Sequence, residues 1–448
     1  MSALVDATPA GPAALPTAHG LQLPLTTRVL ANGLTVVVSE CHDSNVAGLC
    51  VLYKIGSRLE PRNRTGFAHL FEHLMFEGTP VAAKGVFDRV CEGSGGSNNG
   101  QTRPDATLYM EAFPSSALDR FLWLEADRMR TLAFSQETLD NQRDVVKEEI
   151  RVNVQNDPYG LFEYSTLPAK LFEKWENAHD GYGDFKDLDA ANLSDVKAFF
   201  TTYYRPNNAI VVVTGDVSAG EVLRRVDELF GGLPAAEVPA PPDLTEAKRT
   251  DPALLLEEAP LAQTPALGIG WRTPERTHRD AWALFVAGEL LHDGRASRLY
   301  RGLVEGRELA AEVSGGFNVF QGSLWYEGVT LMLTKIAYKR GVEHDAVLAA
   351  VHDELSRIVT DGVPAPELER VKTKILANYY ASLESPLNLA VELAQATAFD
   401  GEPSGILTFP ASVERVTSDD IVRATREWLS AQASAVVVKT PPSKERAA

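Results

Sequence analysis

Two histidines and a glutamate are almost the only polar side chains in an apolar stretch near the amino terminus. In the segment HLFEH (residues 69–73), His69 and His73 are four positions apart and would share one face of a helix, with Glu72 beside them. Burying these groups is costly unless a partner compensates them. A zinc ion would do so, because neutral imidazole nitrogens at this spacing are a common zinc ligand pair. The alternative is a chance pair of helical histidines with a structural role.

The order of these residues, H-x-x-E-H, reverses the H-E-x-x-H motif on the metal-binding helix of many zinc peptidases. In both orders the carboxylate lies next to a metal ligand and within reach of a water molecule on the metal. The apolar run from Thr65 to Phe76 predicts the helix that carries the motif, buried nearly all round. The pattern therefore predicts a zinc site with Glu72 beside it.

A third ligand is expected on a second helix. Residues 135–153 predict that helix, because Ser135 can cap it and neither Pro nor Gly interrupts it. Its inward stripe is predicted from three apolar residues: Val145, Val146 and Ile150. Glu149 falls on this stripe, whereas Glu148 is rotated away from it. Glu149 is therefore the predicted third ligand, and the alternative is a salt bridge between Glu149 and a buried Lys or Arg.

These residues and several flanking segments resemble the pitrilysin (insulinase-like) family of zinc peptidases. The shorter members of that family, typified by the mitochondrial processing peptidase, are the most similar in length. The likeness covers roughly residues 28–440 and is strongest in the first 220. Besides HLFEH, the segments that carry it are NGLTVVV (32–38), GSR (56–58), GFAH (66–69), RDVVKEE (143–149), YRPNN (204–208) and VTGD (213–216).

The resemblance implies a peptidase in which His69, His73 and Glu149 hold one zinc ion per chain. Glu72 would act as general base, taking a proton from water and passing it to the departing amine. Zinc would polarise the scissile carbonyl. One mild departure from the family is Gln142, where relatives often carry an acid.

Residues 97–111 predict a β-hairpin that follows a turn rich in glycine and serine. Its strands, 97–102 and 106–111, would be joined at Arg103-Pro104-Asp105. The resemblance implies that the first strand is a sheet edge near the metal, where a substrate peptide adds as an extra strand. The residues predicted to bind substrate in this way are Asn99, Gly100, Gln101 and Thr102. An ordinary solvent-exposed hairpin is the alternative.

The chain length of 448 residues suits two domains of about 210 residues each. The predicted parts are a flexible arm (1–24), a zinc-binding domain (25–233), a proline-rich linker (234–260) and a homologous domain without metal (261–442). Both domains contain a helix followed by a strand at the same fifteen-residue separation, from Val196 to Val211 and from Ile421 to Val436. Mixed helices and strands predict two α+β sandwiches, with helices on one face of a mainly antiparallel sheet. The resemblance implies the metallohydrolase fold of the processing peptidase, twice.

The second domain lacks the metal motif, because Ala283–Gly288 stands where the first domain has Ala68–His73. Active relatives also carry an Arg and, seven residues later, a Tyr that hold the substrate in the second domain. Val304 and Ala311 occupy these two positions here. Losing such donors lowers the rate by a factor of about 10² to 10³. We therefore expect a homologous partner subunit in a heterodimer to supply the Arg–Tyr pair, with a homodimer as the alternative.

Composition narrows the classes of partner. The net charge of −18 argues against nucleic acid. It would favour basic peptides only if the acids lined the interior rather than an evenly solvated surface. No run of eighteen apolar residues predicts a membrane span, and three cysteines predict no disulfide framework. The chain as it stands predicts a cytoplasmic protein, or a periplasmic one if a leader has been removed.

The sequence favours a zinc endopeptidase subunit acting on peptides over two other classes of function. A non-catalytic peptide-binding or assembly subunit that retains the metal site is the main alternative. An oxidoreductase or transferase is the other class, and the sequence contains no cofactor motif that would support it.

His179, in the segment NAHDGYG (177–183), is predicted to lie in a loop with a surface role, and Tyr182 has no predicted role.

Overall fold

The described part of the chain forms two β-sheets, one in each half of the sequence. The computed structural model describes residues 23–322 and 324–442, so the predicted arm, 1–24, lies almost wholly outside them. The strands of the first sheet are β1 (Leu25–Val29), β2 (Thr35–Glu40), β3 (Val46–Tyr53), β4 (Ser97–Thr102), β5 (Thr107–Pro114) and β6 (Ala209–Gly215). The strands of the second sheet are β7 (Ala253–Glu258), β8 (Ala266–Thr273), β9 (Ala310–Phe317), β10 (Thr330–Tyr338) and β11 (Ser434–Thr440).

Both sheets share one pattern of five paired strands, and the first sheet has β1 as an additional edge strand. The first runs β1-β2-β6-β3-β5-β4 and the second β7-β11-β8-β10-β9. Within the described ranges each sheet has one parallel pair, β2 with β6 and β7 with β11, and its other pairs are antiparallel. The repeated helix–strand pair of the sequence analysis ends in β6 in the first half and in β11 in the second, so these two strands are the ones predicted to be equivalent. The mixed α/β fold with mainly antiparallel sheets confirms the predicted fold class.

Helices follow and separate these strands in both halves. In the first half (residues 23–233) they are α1 (Phe67–Leu74), α2 (Val86–Gly93), α3 (Leu118–Arg130), α4 (Gln136–Ile150), α5 (Thr166–Leu171), α6 (Trp175–Ala178), α7 (Phe185–Ala190), α8 (Leu193–Tyr203) and α9 (Ala219–Phe230). In the second half (residues 253–442) they are α10 (Ala281–His292), α11 (His344–Asp361), α12 (Ala365–Leu383), α13 (Pro386–Asp400), α14 (Gly405–Arg415) and α15 (Ser418–Trp428).

The central strands are buried on both faces, and their sequences are apolar and rich in β-branched residues. Strand β6 reads AIVVVTG, and all seven of its residues are buried. One face of the first sheet packs against α1, α3, α8 and α9 around a core that includes Phe71 and Phe199. The second sheet packs in the same way against α10, α11, α12 and α15. These two cores hold the elements on which the predicted site depends.

The helices just described cover one face of each sheet. The opposite face of each sheet is covered by a segment from the other half of the chain. Helix α13 lies on β3 and β6 of the first sheet, and its Leu389 and Leu393 share an apolar cluster with Cys50. The segment around α5 lies on β8 and β11 of the second sheet, where Leu167 and Leu171 are fully buried. This exchange joins the two halves through apolar contacts.

Gly48 of β3 lies directly beneath the start of α13. A Cβ atom at this position would lie 2.6 Å from backbone atoms of Pro386 and Leu387. We expect Gly48→Ala to lower the free energy of unfolding by about 1–3 kcal/mol, because the backbone of α13 must move to make room. Equilibrium denaturation measures this loss. Gly232→Ala is the control, since a Cβ there meets nothing within 4 Å, and equal losses in both variants would contradict the explanation.

The proline-rich stretch between the halves has no helix or strand from residue 233 to 252. Strand β7 lies inside the predicted linker range, 234–260, because a leucine run, Leu254–Leu256, stands between Pro252 and Pro260. It pairs in parallel with β11 and so belongs to the second sheet. The domain boundaries themselves stay a prediction.

The segment Ala283–Gly288, predicted to stand in place of the metal motif, lies in α10, where most of its residues are buried. His292 at the end of that helix is buried against the Gly288 carbonyl (Nδ1 to O, 2.9 Å) and the Thr334 hydroxyl (Nε2 to Oγ1, 2.8 Å). Within residues 23–322 and 324–442, a single group of three potential metal ligands is found, and it lies in the first half.

Candidate metal centre

Helix α1 carries the HLFEH motif and is shorter than the predicted span, 65–76. It begins after Gly66, whose φ of +83° is favoured by glycine. The carboxylate of Glu60 accepts hydrogen bonds from the backbone N–H groups of Gly66 (2.9 Å) and Ala68 (2.6 Å). These bonds satisfy donors that have no partner within the helix and place a negative group at its positive end.

One side of α1 is open, and the rest is buried as the sequence predicts. The apolar residues that fix the helix in the core are Phe67, Leu70, Phe71 and Leu74. His69 is 6% exposed, whereas Glu72 and His73 are half-buried. The polar groups of the motif therefore share one opening.

Helix α4 begins where the sequence predicts. The hydroxyl of Ser135 caps it by accepting a hydrogen bond from the Thr138 N–H (3.0 Å). The helix ends at Ile150 and continues as a π-helical turn, Arg151–Gln155. Glu149 thus lies in the last turn of regular α-helix.

The predicted inward stripe of α4 is wrong at Val145, which is 46% exposed, and right at Val146 and Ile150, which are buried. Val145 precedes Glu149 by one helical turn, so the two share a stripe that lies outside the core. Glu148 is exposed on another face, as predicted.

The structure brings His69, His73 and Glu149 together. The Oε2 atom of Glu149 lies 3.4 Å from Nε2 of His69 and 3.2 Å from Nε2 of His73, and the two Nε2 atoms are 3.3 Å apart. A tetrahedral ion with ligands at about 2.0–2.1 Å separates them by about 3.3–3.4 Å. The three atoms therefore have the spacing of three corners of a zinc tetrahedron.

The hydrogen bonds around the triangle fit a cation at its centre. Nδ1 of His69 faces the carbonyl oxygen of Tyr182 at 3.3 Å. A proton on Nδ1 leaves the Nε2 lone pair facing the other two ligand atoms. Asn153 donates to the second oxygen of Glu149 (Nδ2 to Oε1, 3.4 Å). Two lone pairs and a carboxylate that face one another repel unless a positive charge lies between them.

The electrostatics of Glu149 agree with this arrangement. When their Nε2 atoms carry protons instead of facing a cation, His69 and then His73 donate hydrogen bonds that hold the pKa of Glu149 well below its usual range. Its ion pairs in the described part of the chain are with these two histidines. The alternative partner, a buried Lys or Arg, is not found there.

Glu72 is held between α1 and the edge strand β4. Its Oε2 atom accepts a hydrogen bond from the Thr102 N–H at 2.6 Å. A Cβ atom on Gly100 would lie 2.9 Å from Cγ of Glu72, so glycine at position 100 leaves room for the acid. The predicted hairpin is confirmed, with β4 at the outer edge of the first sheet. The predicted substrate strand and Glu72 are therefore direct neighbours.

A cavity of about 410 Å³ adjoins these groups. His69, Glu72 and Glu149 line one part of it. The remaining lining includes aromatic and apolar side chains from both halves: Tyr164, Phe172, Val319 and Phe320. The cavity thus combines a polar cluster with an apolar wall, as sites for organic ligands commonly do.

Two arginines line the cavity, but both are bonded to their own chain. Arg58 pairs with Asp105 (Nη1 to Oδ1, 3.3 Å) and donates to the carbonyl of Val329 (2.8 Å). Arg103 donates to the carbonyl of Gln321 (2.7 Å). These bonds fasten the β4–β5 turn to the second half. Sequence reasoning missed the bonds to Val329 and Gln321, because they join residues more than 200 positions apart.

The two residues predicted to stand in place of the family's Arg–Tyr pair have apolar side chains. Val304 is half-buried against the core of the second half, and Ala311 is exposed on β9. Arg307 pairs with Asp353 at 2.8 Å. Gln142, the milder departure, donates from Nε2 to Oε1 of Glu77 at 2.7 Å.

Comparison with known proteins agrees with the fold and the motif. The family model described as insulinase, peptidase family M16, matches residues 35–174, and the model described as the inactive domain of peptidase M16 matches residues 190–375. Together they cover most of the chain, and both sheets contribute to the matches. The fold and the matches thus define a two-sheet protein of the M16 metallopeptidase class.

The chain belongs to the insulinase-like M16 family. It is 27% identical over 416 residues to the zinc protease PqqE of Helicobacter pylori, with 92% of each chain covered. It is 23% identical over 422 residues to the beta subunit of the mitochondrial processing peptidase of Caenorhabditis elegans, covering 91% of this chain and 88% of that protein.

Solved structures share the whole fold. The crystal structure of a protease from Helicobacter pylori superposes with a TM-score of 0.86 at 26% identity, covering 93% of this chain and 99% of that one. A Pseudomonas fluorescens structure described as a peptidase M16 inactive domain gives a TM-score of 0.83 at 19% identity, with 94% and 98% covered. None of the helices in residues 23–322 and 324–442 has the length and apolar character to cross a membrane.

Proposed function

We propose that this chain is the zinc-bearing subunit of an endopeptidase that cuts peptides or unfolded precursor segments. One observation carries the proposal. The Nε2 atoms of His69 and His73 and Oε2 of Glu149 are mutually 3.2–3.4 Å apart, with Glu72 on the same open side of α1. This spacing suits one zinc ion per chain.

His69, His73 and Glu149 would hold the ion, and Glu72 would act as general base. When bound, zinc supplies Lewis acidity that polarises a peptide carbonyl and lowers the pKa of water. Glu72 takes the proton from the attacking water on its carboxylate and delivers it to the departing amine nitrogen. The Thr102 N–H holds that carboxylate in place at 2.6 Å.

The outer edge of β4 is the proposed seat of the substrate backbone, at Asn99, Gly100, Gln101 and Thr102. An extended peptide that pairs with this edge runs past Glu72, because Glu72 touches both Gly100 and Thr102. Backbone pairing makes few demands on side chains and requires a flexible substrate. The apolar wall of the cavity would receive a neighbouring substrate side chain.

A homologous partner subunit is proposed to complete the site and close a chamber over it. The two arginines of the cavity lining are engaged within the chain, and Val304 and Ala311 offer no donor to a substrate carbonyl. An Arg–Tyr pair from a second M16 chain would supply those donors. A homodimer is the alternative, but the second copy would also carry Val304 and Ala311 and would supply no Arg–Tyr pair.

The experiment is to assay the purified chain alone and mixed with an M16 homologue encoded beside it. We expect cleavage of an unstructured quenched-fluorescence peptide to rise by about 10² to 10³ in the mixture. Full activity of the isolated chain would contradict the need for a partner. Zinc binding without cleavage in either sample would favour the non-catalytic peptide-binding or assembly subunit instead.

A further inference from the structure

His179 lies in the wall of the cavity, at the start of the loop that contacts His69. The predicted surface role of this histidine is wrong, because only 9% of its side chain is exposed. Its ring stacks on Trp175, with centroids 3.8 Å apart and planes at 5°. A buried histidine in this position needs partners for both ring nitrogens.

Both ring nitrogens of His179 face main-chain carbonyl oxygens. Nδ1 lies 2.8 Å from the carbonyl oxygen of Trp175, and Nε2 lies 2.8 Å from that of Ser57. A carbonyl oxygen only accepts hydrogen bonds, so both nitrogens must carry a proton for both bonds to form. The geometry is therefore that of an imidazolium cation rather than a neutral ring.

The counter-charge of this cation is Glu60, whose Oε2 atom lies 3.8 Å from Nε2 of His179 and whose side chain is fully buried. The same carboxylate accepts the N–H groups of Gly66 and Ala68 at the start of α1. Complete burial raises the pKa of Glu60 to about 8 despite these donors. Asp180 and Asp187 add to that shift, and a cation at His179 would oppose it.

A second connection leads from His179 to His69 through the loop 180–183. Oδ1 of Asp180 accepts the N–H groups of Tyr182 (3.0 Å) and Gly183 (3.1 Å), which fixes the turn. The turn directs the carbonyl of Tyr182 at Nδ1 of His69. That contact decides which nitrogen of His69 faces Glu149.

We propose that His179 is a positioning residue of the metal centre. As a cation it anchors the loop that orients His69, and it neutralises the carboxylate that caps the helix of His69 and His73. The inference rests on the proposed function, since it takes His69 as a zinc ligand. Loss of an outer partner of this kind weakens metal binding by roughly 10 to 100-fold.

The charge of His179 can be measured without metal and without activity. Nitrogen-15 resonance spectra of the full-length zinc-free chain, labelled at histidine, distinguish protonated from bare ring nitrogens. The spectrum is recorded about one pH unit above the usual histidine pKa of about 6.5, and His179 is assigned by its contact with the Trp175 ring, so no variant has to fold. Two protonated nitrogens are expected, and a neutral ring would overturn the proposal.

The positioning role is tested by the zinc dissociation constant of His179→Gln, measured by competition with a chelator. A 10 to 100-fold increase is expected, whereas His344→Gln, at the start of α11 in the second half, should leave the constant unchanged. Equal constants for His179→Gln and the unsubstituted chain would overturn the inference and leave the proposed function standing. If the unsubstituted chain bound no zinc, the proposed function would fall, while the spectrum would still decide the charge of His179.

Discussion

Glu72→Gln is expected to retain zinc and to lose peptide cleavage by a factor of about 10² to 10⁴. Glutamine has nearly the same shape, and its amide oxygen can still accept the Thr102 N–H that holds the native carboxylate. It cannot accept a proton from water at neutral pH, so only the proton transfer is removed. The measurement pairs the rate on a quenched-fluorescence peptide, in the presence of the partner subunit, with the zinc content of the same sample.

The matched control for this prediction is Glu148→Gln, which makes the same change on an exposed face of α4. It should alter neither zinc content nor rate. If Glu72→Gln kept its rate within a few-fold of the unsubstituted chain, another group would have to be the base. If it lost both zinc and rate, the loss could not be assigned to proton transfer.

His73→Gln is expected to abolish stoichiometric zinc binding. Two of the three converging atoms would remain, and the Nε2 atom that lies 3.2 Å from Glu149 would be gone. Because zinc binds the folded chain, a concentration 100 times its dissociation constant should stabilise the unsubstituted protein by about 2.7 kcal/mol. The variant should show close to none of this stabilisation. Denaturation with and without zinc measures the difference.

His42→Gln provides the control for this second prediction. His42 is exposed and pairs with Asp216 (Nδ1 to Oδ1, 2.7 Å) on the first half of the chain, outside the candidate centre. Its substitution should leave the stabilisation by zinc intact. A full zinc effect in His73→Gln would show that the ion binds elsewhere.

The sequence predicts the elements of the site well where a local pattern dominates. The apolar run around HLFEH leaves one face for His69 and His73, and Ser135 caps α4 as expected because capping depends on neighbouring residues alone. The failure at Val145 has a physical cause. Helical periodicity identifies a stripe but not its exact edges, and here Val146 and Ile150 face the core whereas Val145 lies outside it.

Other features could not be predicted because they depend on contacts between distant parts of the chain. The exchange of α13 and the α5 segment between the two sheets follows from how the halves pack, and no local pattern encodes it. The charge of His179 depends on the carbonyls of Ser57 and Trp175, which meet only in the folded chain. The burial of polar loop residues such as His179 is therefore the feature that the sequence predicts least well.

Anomalous scattering at the zinc absorption edge, from crystals of the zinc-loaded chain, locates the ion itself. We expect one strong peak within about 2.0–2.2 Å of Nε2 of His69, Nε2 of His73 and a carboxylate oxygen of Glu149. A map with no peak among these atoms, or with zinc bound only at other residues, would contradict the proposed zinc site.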